Sequence, residues 1–117
     1  MSKDIWKLNA QDWFGSSSFH LACQNGQSEI IEMLILKSSE FNIELNSRDH
    51  MNMVPFHLAC QEGQSDIVEL MIQRSKDFDI DLNKTASGGS AFHVACENGC
   101  TNIAEILSRN LLNMILI

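Results

Sequence analysis

Apolar residues along this chain fall into three copies of one arrangement. Phe19-His20-Leu21-Ala22-Cys23 recurs as Phe56-His57-Leu58-Ala59-Cys60 after 37 residues, and as Phe92-His93-Val94-Ala95-Cys96 after a further 36. Each block opens a short helix. In the first copy Ser16-Ser17-Ser18 supplies capping hydroxyls for Phe19 to Gln24, and Asn25-Gly26 closes it, because glycine accepts a left-handed backbone. A second helix starts at Gln27 or Ser28 and carries a wide apolar stripe of Ile30, Ile31, Met33, Leu34 and Ile35. Phe41, Ile43 and Leu45 then alternate with Asn42, Glu44 and Asn46, the period-two signature of an extended strand.

The second copy reproduces every part. Phe56 to Glu62 precedes Gly63, Ile67, Val68, Leu70, Met71 and Ile72 form the next stripe, and Phe78, Ile80 and Leu82 alternate with Asp77, Asp79 and Asp81. The third has Phe92 to Asn98 before Gly99, then Ile103, Ala104, Ile106 and Leu107. One period upstream, Ile5-Trp6-Lys7-Leu8-Asn9 aligns with Asn42-Ile43-Glu44-Leu45-Asn46. Self-similarity at a period of roughly 20–50 residues marks a stack of supersecondary units. The pattern therefore predicts an all-α repeat solenoid of about three helix-turn-helix units with extended turn segments between repeats. Residues 1–117 would form one domain, with a partial leading unit over 1–11, repeats over 12–48 and 49–84, and a truncated repeat over 85–117. Phe19, Phe56 and Phe92 should occupy like surroundings. Cys23, Cys60 and Cys96 should pack side by side as small buried hydrophobes.

Composition bears on function more than on fold. The chain is 44% apolar, enough to bury a core, and carries a net charge of −7 with no Lys/Arg cluster. Phosphate backbones repel such a chain, so no nucleic-acid partner is expected. The longest apolar stretch, Leu111 to Ile117, falls far short of the ~20 residues of a membrane span. Residues 1–7 have no signal-peptide core. Four cysteines at regular places read as reduced thiols, which gives a cytoplasmic protein, or a nuclear one, as the expectation.

Asp12-Trp13-Phe14-Gly15-Ser16-Ser17-Ser18-Phe19-His20-Leu21-Ala22 resembles the ankyrin-repeat signature Asp-x-x-Gly-x-Thr-Pro-Leu-His-x-Ala. So does Asp49-His50-Met51-Asn52-Met53-Val54-Pro55-Phe56-His57-Leu58-Ala59, with Asn52 in place of glycine and Val54 in place of threonine. The third copy, Gly88-Gly89-Ser90-Ala91-Phe92-His93-Val94-Ala95, lacks the aspartate and is one residue shorter before its helix. The resemblance spans essentially the whole chain and implies an ankyrin-like stack. It also implies that each histidine bonds turn backbone at the start of its helix. The family period is 33 residues. The longer period here places extra residues in 38–45 and 75–82, which predicts a longer second helix or an enlarged loop.

Candidate chemistry is weighed against that architecture. His-x-x-Cys occurs three times, as His20/Cys23, His57/Cys60 and His93/Cys96, with Cys100 near the third. These are zinc ligand types, but zinc needs four ligands on one point, and adjacent repeats lie about 10 Å apart. That leaves His93, Cys96 and Cys100 at most as an adventitious site. A cysteine nucleophile is equally poor, because three copies of one pair describe architecture. Asp77, Asp79 and Asp81 lack the glycine and terminal glutamate of a calcium loop, and Ser87-Gly88-Gly89-Ser90 lacks the lysine of a phosphate loop. No catalytic, metal or cofactor site is expected.

The resemblance implies a protein partner, held by turn tips and the inner faces of the first helices. The turn positions are Trp13, Phe14 and Ser16, then His50, Met51 and Met53, then Ser87 and Gly89. The helix positions are Gln24 and Asn25, Gln61 and Glu62, and Glu97 and Asn98. Two aromatics in one turn, Trp13 and Phe14, are either interface anchors or a local cap folded back with Trp6; both readings stay open. The expected function is a non-catalytic scaffold or adaptor. The alternative is an assembly unit that forms homo-oligomers through the apolar segment Leu111–Ile117, since end repeats normally carry a polar outer face.

Overall fold

The computed structural model describes residues 5–85 and 89–110, with side chains from Lys7 onward. A 3-10 turn (Ile5–Asn9) precedes α1 (Ser18–Asn25), α2 (Ser28–Leu36), α3 (Ser38–Phe41), α4 (Pro55–Gln61), α5 (Ser65–Phe78), α6 (Ala91–Glu97) and α7 (Thr101–Arg109). The helix starts follow from their caps. Ser17 and Ser90 hydroxyls accept the amides of His20 and His93, and each imidazole Nδ1 accepts the cap residue's own N–H in return. Val54 has no hydroxyl, and there Pro55 at the first helical position presets the backbone. Gly26 ends α1 in the left-handed region, φ 69°.

Packing repeats as the sequence does. α1 lies against α4 and α4 against α6, forming an inner layer, while α2 lies against α5 and α5 against α7 in an outer layer. Phe19, Cys23, Ile31, Ile35, Phe56, Cys60, Val68 and Met71 are sealed between the layers. The Cys23 thiol reaches the Met71 sulfur at 3.8 Å, from the first hairpin into the second. Seven helices and no strand among the described residues make this an all-α repeat stack.

The expected strands do not form. Phe41 and Phe78 still belong to helices, and Asn42 (φ 55°) and Asp79 (φ 56°) cap them in the left-handed region. Asn and Asp tolerate that conformation better than other chiral residues. Beyond these caps Ile43, Leu45, Ile80 and Leu82 do point inward and are buried. The extra residues of the long period thus lengthen the outer helix, to 14 residues in α5 and to the α2–α3 pair in the first copy.

Polar side chains tie each unit to the next. His20 Nδ1 accepts an N–H, so the neutral ring carries its proton on Nε2, which donates to the Met53 carbonyl at 2.9 Å. His57 does the same to Lys84. Asn9 donates to the Asn42 carbonyl and accepts the Glu44 amide; Asn46 donates to Asp79 and accepts Asp81. Glu32–Arg74 and Glu69–Arg109 bridge the outer helices at 2.8 and 3.6 Å. Such half-exposed pairs contribute about 1 kcal/mol or less each.

Equivalence breaks at the third unit. Phe92 is 46% exposed although Phe19 and Phe56 are buried, and Cys96 is exposed although Cys23 and Cys60 are not. The helix face that holds these residues is covered by the following hairpin in the first two units. No hairpin follows α7 among the described residues, so the expectation of like surroundings fails for a positional reason.

Candidate groove on the inner face

Two turns project from the inner layer, and one aspartate builds each. Asp12 Oδ1 accepts the amides of Phe14 and Ser16, both at 2.9 Å; Asp49 Oδ1 accepts those of Met51 and Met53, also at 2.9 Å. Backbone bonds from Asp12 to Ser16 and from Asp49 to Met53 close the loops, and the His50 amide joins the tips by donating to the Phe14 carbonyl. The side chains at the tips are thereby held outward. Trp13 is 92% exposed, Phe14 74% and Met51 75%. The local-cap reading of Trp13 and Phe14 therefore fails: neither side chain packs back onto the stack.

Between the tips and helices α1, α4 and α6 runs a groove of about 630 Å³. Leu21, Leu58 and Val94, the residues after the three histidines, form its floor. Gln24, Gln61, Glu97 and Asn98 line the helix side, and Phe14, Ser16, Met51 and Met53 the turn side, with Asp12 and Asp49. Eight of the residues singled out from the sequence thus meet in one concavity. Trp13, Asn25, His50 and Glu62 are exposed and lie outside its lining, and half-buried Gly89 lies outside it too. Ser87, the Trp6 side chain and Leu111–Ile117 lie outside the described residues.

Asp12, Leu21, Asp49, Leu58 and Val94 were missed. A signal existed, since Leu21 and Leu58 precede Gln24 and Gln61 by three residues and so share a helix face with them. Leu58 and Val94 are themselves buried, at 7% and 5% exposure, whereas Leu21 is 41% exposed.

In the first two copies the histidines and cysteines are built into the fold. Both ring nitrogens of His20 and His57 are engaged by backbone or cap groups. Burial lowers the His57 pKa from its usual value. Burial also pushes the Cys60 thiol up to about 12 and raises Cys23 further, which keeps both protonated and unreactive near neutral pH. Among the described residues no helix is long and apolar enough to cross a membrane. A protein-family description, ankyrin repeats in three copies, matches residues 19–114. No curated protein matches the chain.

Proposed function

The chain belongs to the ankyrin-repeat family, and from that premise we propose that it is a non-catalytic interaction module. It captures a protein partner in the inner groove and on the projecting turns. The observation that carries this reading is the groove itself: three equivalent helices supply its floor, and aspartate-locked turns hold Phe14 and Met51 exposed above it. Preorganised side chains lose little entropy on binding, and that supports affinity without any motion of the stack. On this reading residues 12–48, 49–84 and 85–117 are three repeats behind a leading partial unit. The free thiols fit a reducing compartment, cytoplasm or nucleus. The test is affinity capture with wild-type protein and with a Trp13→Ala, Met51→Ala double variant. Both substituted side chains are exposed, so thermal unfolding should be unchanged while capture of a specific partner falls at least tenfold. Equal capture by both proteins would contradict the assignment.

A second reading has its own observation. Ile30 is 45% exposed, whereas its equivalents Ile67 and Ile103 are buried, so the first hairpin shows the face that later hairpins bury against a predecessor. Phe92 shows the complementary face at the other end. Two copies could stack head to tail through these faces. Light scattering over a concentration series would reveal growing oligomers, and a constant monomer mass would end this reading.

A further inference from the structure

Charge is segregated between the two layers of the stack. None of the inner helices α1, α4 and α6 contains a lysine or arginine. Arg74 and Arg109 instead lie on the outer layer, paired with Glu32 and Glu69. Arg48, at the root of the second turn, gives its guanidinium to the carbonyls of Asn52 and Thr85. No basic residue lines the groove, while three carboxylates do. Asp12 and Asp49 each commit one oxygen, Oδ1, to two turn amides. Their second oxygens and the exposed Glu97 carboxylate leave the rim negative over an apolar floor. An acidic segment would meet uncompensated repulsion there, and a neutral one would leave the rim charges without partners.

We propose that the groove accepts an apolar segment of a partner protein flanked by lysine or arginine side chains. This rests on the groove reading above and adds the chemistry of its occupant. Apolar side chains of the segment pack on the exposed Leu21, Phe14 and Met51, over the buried Leu58 and Val94, and its cations face the rim. The floor positions recur once per packed helix, about 10 Å apart. A segment in the polyproline-II conformation rises about 3.1 Å per residue with about three residues per turn, so apolar side chains at every third position share one face and match them.

The probes are three synthetic peptides of about twelve residues: one repeating Lys-Ser-Leu, one repeating Glu-Ser-Leu and one repeating Lys-Ser-Ser. Calorimetry, or the fluorescence of Trp6 and Trp13 together, reads binding. The Lys-Ser-Leu peptide should bind at least tenfold tighter than either control, weaken as salt rises, and lose severalfold in affinity to Glu97→Lys and to Met51→Ala. Equal affinity of the Lys-Ser-Leu and Glu-Ser-Leu peptides, with sensitivity to Met51→Ala, would overturn the charge assignment and leave the groove reading standing. Preference for the Lys-Ser-Leu peptide without any effect of Met51→Ala would place binding elsewhere and overturn both. Equal binding by the Lys-Ser-Ser peptide, or no binding by any of the three, would also overturn the proposal.

Discussion

Asn52 and Gly15 hold equivalent places in two turns with the same hydrogen bonds, at φ 64° and 77°. A left-handed backbone costs a chiral residue about 1–2 kcal/mol, less for asparagine. Asn52→Gly should therefore stabilise the fold by up to about 1 kcal/mol in urea unfolding. Gly15→Ala should do the reverse. Its methyl would sit 2.5 Å from the His50 ring and 2.8 Å from the His50 amide nitrogen, one of them backbone. A loss of about 1–3 kcal/mol follows from strain and contact together. His57 sets a pH dependence of known sign. Burial lowers its folded pKa below the unfolded value of 6.5, so the unfolded chain binds more protons in between. Stability is then full above pH 6.5 and declines as pH falls toward the folded value. Protonation would also turn an N–H on Nδ1 against the Val54 amide. Unfolding measured at pH 7.5 and 5.5 should show that decline, and His57→Gln should be less stable overall but flatter between the two.

At the scale of elements, the asparagine clasps distinguish this stack. Asn46 lies in an exposed segment, yet both of its side-chain bonds, at 2.8 Å, reach the cap that follows α5. Asn46→Ala should cost about 1–3 kcal/mol, from two bonds of about 0.5–1.5 each, and should speed hydrogen exchange at the Asp81 amide. The sequence shows why such a clasp is hard to foresee. Helix starts at Ser17, Pro55 and Ser90 are legible because capping and proline chemistry act locally. Phe41 to Asn46 was not, because its alternation has two origins. Ile43 and Leu45 alternate as an extended segment does, but Phe41 is the end of a helix and Asn42 turns the chain left-handed. A single residue's φ separates the two cases, and period alone does not carry it. The groove was half legible for a similar reason: polar Gln24, Gln61 and Glu97 announced an exposed face, whereas the apolar pattern does not tell the exposed Leu21 from the buried Leu58.

The whole molecule measures 43 × 30 × 22 Å and works as a series of nearest-neighbour contacts. Burial of Phe19 and Phe56, and exposure of Phe92, follow from position in the series and not from the residue itself. The same succession lays the floor of the groove, one residue per inner helix. On the proposed function, the partner docks on the side of the stack that the repeats leave uncovered. Hydrogen exchange on the protein with and without its captured partner tests that claim most directly. Slowed exchange is predicted in the Asp12–Ser16 and Asp49–Met53 turns and in α1, α4 and α6, with the outer helices α2, α5 and α7 unchanged. Protection confined to the outer helices, with free exchange in both turns, would contradict it.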